Sequence, residues 1–212
     1  MQRIKYILSI GLVILLSACS ALAPPRQIAP VTGQVIDEAT AQPVEGATVV
    51  MRWQGTGTKA FVDQHTECYH VETATSDSEG RFSSKPWQEE SRYRNLGLKE
   101  RMVTVYKVGY RHVRSEGEAH YLERDTGSVE ERLAYLKNLV RNSGCFGAGK
   151  LRRRLYSVLE AVFYEARQLE APHDMLQWLR EVAASAWLAH DGAVSSRVHN
   201  REISKFLRDH LL

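Results

Sequence analysis

The spacing of apolar residues changes once along the chain, near residue 127. Before that point apolar and polar residues alternate over short runs: Val31, Gly33 and Val35 interleave with Thr32, Gln34 and Ile36. Ala47 to Trp53 carries Val49, Val50, Met51 and Trp53, all strand formers. Val71 to Thr75, Arg81 to Ser83 and Met102 to Tyr106 predict three further strands. The polar stretch Asp37 to Gly46, carrying Pro43, reads as the turn between the first two. Strands this short, punctuated by polar turns, predict a β-sandwich. From Gly127 onward the period is helical. Ser128 and Glu131 have the spacing of a capping box, and Val129, Leu133, Leu136 and Val140 follow at intervals of three and four. Leu151, Leu155, Val158, Leu159, Val162, Phe163, Ala166 and Leu169 form a second stripe. Pro172 opens a third helix lined by Met175, Leu176, Leu179, Val182, Ala183 and Trp187, and Val198, Ile203, Phe206 and Leu207 predict a fourth. The fold class expected is α+β.

Ahead of both halves lies a different pattern. Arg3 and Lys5 precede an apolar run from Ile7 to Leu16, broken only by Ser9 and Gly11. A bilayer-spanning helix needs about 20 apolar residues, so the run is too short to span and has the length of a secretory h-region. It closes on Leu16-Ser17-Ala18-Cys19. This arrangement resembles the signal peptide and lipobox of bacterial lipoproteins. The resemblance implies cleavage after Ala18, a diacylglyceryl group on the Cys19 thiol and a third acyl chain, commonly palmitate, on its new amine. Several acyl chains on one residue anchor stably in a bilayer. Residues 1–18 are then the signal peptide, and 19–30, with Pro24, Pro25 and Pro30, a flexible tether. Ser20 stands where an Asp would retain a Gram-negative lipoprotein in the inner membrane. The expected address is therefore the outer membrane, periplasmic face. With Cys19 taken by lipid, Cys68 and Cys145 remain as an even pair in an exported chain, which predicts a disulfide. Its loop-closure entropy contributes about 4–5 kcal/mol.

The net charge of +3 includes Arg3 and Lys5, so the rest of the chain is close to neutral. It lacks the concentrated basic face that nucleic-acid binding needs. No second run of about 18 apolar residues predicts a transmembrane helix.

Three ordered patches in the β half carry a second resemblance. The first is Gly33-Gln34-Val35-Ile36-Asp37 with Thr40, Pro43-Val44, Gly46-Ala47 and Val49; the second is Ser76-Asp77-Ser78-Glu79-Gly80-Arg81-Phe82; the third is Lys107-Val108-Gly109-Tyr110. Together they resemble the carboxypeptidase regulatory-like domain, a transthyretin-like (prealbumin-like) β-sandwich, over residues 31–113. The residues have physical roles of their own. Asp77 accepts from amides further along its turn, Gly80 supplies a positive φ, and Phe82 points into the sandwich. Gly46 lets the chain turn before Ala47. The polar stretches Gln54 to Glu67 and Gln88 to Glu100 read as long insertions, and 114–212 as an α-helical region that the Cys68–Cys145 bond clamps to the sandwich.

Candidate chemistry is sparse. His65-Thr66-Glu67-Cys68-Tyr69-His70 gathers two imidazoles and a thiol, which suits zinc only with a further ligand and a reduced Cys68. His120 with Glu123 and His199 with Glu202 match the H-x-x-E spacing of zinc carboxypeptidases, but the large catalytic domain of those enzymes has no counterpart here. The C-terminal Arg208-Asp209-His210-Leu211-Leu212 departs from the ending of transthyretin-like hydroxyisourate hydrolases. No G-x-S-x-G elbow or P-loop occurs. Lys150-Leu151-Arg152-Arg153-Arg154 reads as the solvated start of a helix with Leu151 and Leu155 inward; the alternative is contact with lipid headgroups or an acidic partner. Among the tryptophans, Trp53 is left open, Trp178 and Trp187 read as core, and Trp87, after Pro86, as the exposed aromatic for ligand contact.

The expectation is a membrane-anchored envelope lipoprotein acting as a non-catalytic interaction or structural module, with no cofactor and no metal. Its partners would be the bilayer, through acylated Cys19, and another envelope protein or a glycan. Two alternatives stay open: a metal-dependent envelope hydrolase using the His65–His70 loop, and a lipoprotein binding a glycan or small ligand.

Overall fold

The computed structural model describes residues 25–59, 63–145 and 149–189. The signal-peptide and Cys19 readings, Ser20, the fourth predicted helix, His199 and Glu202 lie outside the described residues.

Among the described residues nine strands precede three α-helices, an α+β fold with mixed sheets. The strands are β1 (Arg26–Ile28), β2 (Thr32–Asp37), β3 (Thr48–Lys59), β4 (Asp63–Thr75), β5 (Arg81–Ser83), β6 (Trp87–Glu89), β7 (Gly97–Tyr106), β8 (Tyr110–Glu116) and β9 (Ala119–Arg124). One sheet has the order β5-β2-β9-β8, with β2 and β9 parallel; a second has β4-β3-β7, antiparallel throughout; β1 and β6 form a two-stranded pair. The helices are α1 (Val129–Ser143), α2 (Tyr156–Gln168) and α3 (His173–Trp187), and a 3-10 stretch, Gly149–Leu155, leads into α2.

Strand β3 shows why the chain builds three layers. Val49, Val50, Met51, Arg52 and Trp53 are all buried in succession. Val49, Met51 and Trp53 join Val35, Phe82 and Leu122 in a core between the sheets. Val50 joins Val71 and Tyr106 in a second core with Leu136, Val162, Phe163 and Leu179 of the helices. A strand covered on both faces reads as a continuous apolar run rather than an alternation.

The turns follow their chemistry. Asp37 Oδ1 accepts from the amides of Ala39 (3.1 Å) and Thr40 (2.9 Å), and the Thr40 amide above all holds its carboxyl below the usual range. Asp77 Oδ1 accepts from the amides of Glu79 and Arg81 at 3.0 and 2.7 Å. Gly80 has φ +70, and a Cβ there would lie 2.4 Å from the Val35 carbonyl. Gly33 passes so close to the buried Phe82 ring that a Cβ would sit 2.5 Å from it. Gly46 and Gly109 also take positive φ, Ala47 behind Gly46 is fully buried, and Tyr110 packs at the edge of the inter-sheet core. The predicted capping box forms: the Glu131 amide donates to Ser128 Oγ (3.2 Å) and the Ser128 amide to Glu131 Oε2 (2.9 Å).

Four expectations need correction. Residues 26–28 are not tether: β1 pairs with β6, Ile28 opposite Trp87. Gln54 to Lys59 and Asp63 to Glu67 are not loose insertion but the outer parts of β3 and β4, polar because they run beyond both cores and held by their backbone ladder. Gln88 to Glu100 likewise contains β6, a 3-10 turn at Ser91–Tyr93 and the start of β7. Strand structure continues past 113 to Arg124, because β8 and β9 carry so many charges that their period of two is hidden.

A disulfide and a buried ion cluster help to fasten the helices to the strands. Cys68, on β4, and Cys145, just beyond α1, form a disulfide with Cα atoms 5.3 Å apart. Arg132 of α1, 4% exposed, donates from Nε and Nη2 to the two Glu165 oxygens of α2 (3.0 and 2.9 Å), and from Nη1 to Asp125 (3.2 Å) and the Tyr110 carbonyl. Tyr106 on β7 donates to the same Glu165 at 2.8 Å, and the Gly109 amide does so at 3.0 Å. Burial and the neighbouring carboxylate push the Tyr106 hydroxyl well above its ordinary pKa, so it remains a donor.

Candidate functional site

The His65–His70 segment belongs to β4. Cys68 is committed to the disulfide and therefore cannot ligate a metal. A bulge at Trp53/Gln54 lets both Tyr69 and His70 reach the aromatic cluster beside the inter-sheet core. The His70 ring stacks on Trp87 with centroids 3.6 Å apart and meets Trp53 edge-on at 5.4 Å. Its Nε2 lies 3.1 Å from Glu72 and 3.3 Å from Arg154 Nη1. Burial, helped by the Arg154 charge, pushes the imidazole down to about 3, so it is neutral at physiological pH.

Trp87 corrects the sequence reading. It is 8% exposed, sandwiched among His70, Trp53 and Tyr69, and does not offer a ring to solvent. Its place on β6 opposite β1 explains the burial; the neighbouring Pro86 suggested a loop instead. Trp53 is buried in the same cluster, while Trp178 and Trp187 pack against the helical core as expected.

His120 and Glu123 lie on β9, where an interval of three places side chains on opposite faces: His120 is buried and Glu123 exposed. His120 instead joins a small polar relay. Ser115 Oγ stands 2.8 Å from His120 Nδ1 and 3.0 Å from His112 Nε2, so one hydroxyl bridges two imidazoles. Burial first, and the His112 charge second, push His120 down to about 4; burial also lowers His112. Among the described residues His120 Nε2 has no hydrogen-bond partner.

Arg153 and Arg154 of the basic run are exposed, as a solvated face requires, yet each holds a partner on the fold. Leu155 is buried and Leu151 partly so, Arg153 lies over the Trp187 ring at 4.8 Å, and Arg154 donates to the Val71 carbonyl and pairs with Glu72 along the free edge of β4. This agrees with Leu151 and Leu155 facing inward and ties the arginines to the fold.

A cavity of about 440 Å³ opens between α1 and β7. Arg52, Met102, Val103, Thr104, Val105 and His112 line it from the strands, and Tyr135, Asn138, Leu139 and Asn142 from the helix. Arg52 was passed over in the sequence, although a lone arginine inside the apolar run Val49–Trp53 is itself a signal: a charge at the centre of a doubly covered strand needs a reason. Its pKa is lowered, by burial, with Glu100 opposing the shift. Among the described residues no helix is long and apolar enough to cross a membrane. Comparison with family models, curated proteins and solved structures finds no match for this chain.

Proposed function

We propose that the protein is a lipid-anchored module of the bacterial cell envelope, acylated at Cys19, that works by binding rather than by catalysis. The carboxypeptidase regulatory-like resemblance of residues 31–113 supports a transthyretin-like β-sandwich as the displayed unit. The observation that carries the reading is the Cys68–Cys145 disulfide. Such a bond persists in an oxidising compartment, which is the destination implied by the Leu16–Cys19 lipobox. It also removes the thiol on which the metal-dependent hydrolase reading leaned. With Trp87 buried, the partner is better sought among envelope proteins than glycans.

The test is metabolic labelling with a palmitate analogue in a Gram-negative host. The wild-type chain takes the label and sediments with outer membrane, whereas Cys19→Ser stays unlabelled as uncleaved precursor. Label retained in Cys19→Ser, or an unlabelled wild-type chain released to the soluble periplasm, overturns the anchor. Crosslinking of the intact envelope with mass spectrometry then identifies the partner.

A further inference from the structure

Arg52 sits in the wall of the α1–β7 cavity at 6% exposure, and its guanidinium is short of acceptors. Nη1 donates to the Gly144 carbonyl at 2.8 Å. Nη2 reaches only the Met102 sulfur, at 3.7 Å, and Nε has no partner among the described residues. A thioether is a weak acceptor. The Nε–Nη2 edge is the one that a carboxylate occupies with two parallel hydrogen bonds. Here Nη2 of that edge meets a methionine, a flexible side chain whose sulfur also accepts from Gln54 Nε2 at 3.0 Å and must leave both donors to make room. Met102 is itself 40% exposed and lines the cavity.

The surroundings select for an anion. Among the described residues no acidic side chain lines the cavity. The acid whose charge Arg52 feels is Glu100, which accepts from Gln54 and forms no ion pair with Arg52 among the described residues. Asn138 and Asn142 bring exposed side-chain amides to the cavity, and Tyr135 accepts from the His112 amide at 3.0 Å, leaving its own proton to donate. Val103, Leu139 and Met102 supply an apolar wall. A cavity this size falls in the range of small-ligand sites, whose usual build is apolar lining with a few placed polar groups.

We propose that the α1–β7 cavity is a binding site for a carboxylate carried on a short apolar body, held side-on by Arg52 after Met102 moves off the guanidinium edge. A medium-chain fatty acid and the C-terminal residues of an apolar peptide share this chemistry. The site does not depend on where the protein is anchored, so it stands or falls separately from the Cys19 reading.

The experiment uses purified full-length protein with 13C-labelled methionine methyls, titrated with octanoate, octanamide, N-acetyl-Leu-Leu and its C-terminal amide. Octanoate or the free-acid peptide shifts the Met102 methyl and binds at least tenfold more tightly than its own amide; whichever acid binds tighter names the source. Arg52→Gln brings acid and amide to equal affinity, and Met102→Trp, which fills the cavity mouth, weakens both. The acid–amide comparison on the wild-type chain needs no variant, so poor folding of Arg52→Gln leaves the test intact. Equal affinity for acid and amide, binding that leaves the Met102 methyl unmoved, or no saturation by either acid at millimolar concentration overturns the site.

Discussion

Arg132 lies on α1 and Arg52 on β3, in the wall of the cavity beside that helix, and both are more than nine-tenths buried. Arg132 saturates its fork with Glu165, Asp125 and the Tyr110 carbonyl, joining two helices and the β layer. Arg52 has one good acceptor among the described residues, the Gly144 carbonyl. The contrast separates two uses of a buried cation. A guanidinium with carboxylates built around it fixes how layers dock, and removing one partner strands the other. A guanidinium with a weak acceptor on its bidentate edge contributes little to the fold and remains available to a ligand. The first kind specifies an architecture; the second marks a site.

The largest effect expected is from turning Arg132 into a second Arg52. Glu165→Leu leaves the Arg132 charge buried with Asp125 alone and should cost about 3–5 kcal/mol in denaturant unfolding. The double variant Arg132→Met/Glu165→Leu should recover part of that loss, since it removes both charges. A double variant as unstable as the sum of its parts contradicts the clamp. Trp87→Ala removes the ring stacked on His70 and should cost about 3–5 kcal/mol, with no gain in ligand sensitivity. A loss below about 1 kcal/mol would mean that Trp87 is exposed after all. Cys68→Ala/Cys145→Ala should cost about 2–5 kcal/mol. It also frees the segment carrying Gly144, so octanoate should bind this variant more weakly than wild type.

A further effect is expected with pH. His70 is pushed down to about 3 and His120 to about 4, both chiefly by burial, against an unfolded value near 6.5. Below pH 6.5 the unfolded chain binds more protons than the folded one. The stability from keeping these rings neutral is therefore complete above pH 6.5 and drains as pH falls toward 4. The Tm should decline through that window, and His120→Asn should flatten the decline. A Tm independent of pH between 6.5 and 4 would contradict the neutral rings.

Much of the fold was legible because local chemistry and global packing agree. The Ser128–Glu131 cap, the Asp77–Gly80 turn and the β3 run each carry their own physical reason, and each forms. β8 and β9 were hidden because Arg111, Arg114, Glu116 and Glu123 serve an outer, solvated sheet face where apolar alternation is not required. The outer β3–β4 hairpin was hidden for a related reason: backbone pairing, not burial, holds Thr56 against Thr66. The candidate site was the least legible part. Arg52 and Met102 come together through the β3–β7 pairing, and α1 closes over them from 135 onward, so no local pattern announces the cavity.

Side-by-side equilibrium unfolding of Arg52→Met and Arg132→Met tests the account most directly. The prediction is a loss of about 3–5 kcal/mol for Arg132→Met, which leaves Glu165 buried and unpaired, against a change within about 1 kcal/mol for Arg52→Met. Equal losses at the two positions would contradict it, because Arg52 would then be as much a part of the fold as Arg132.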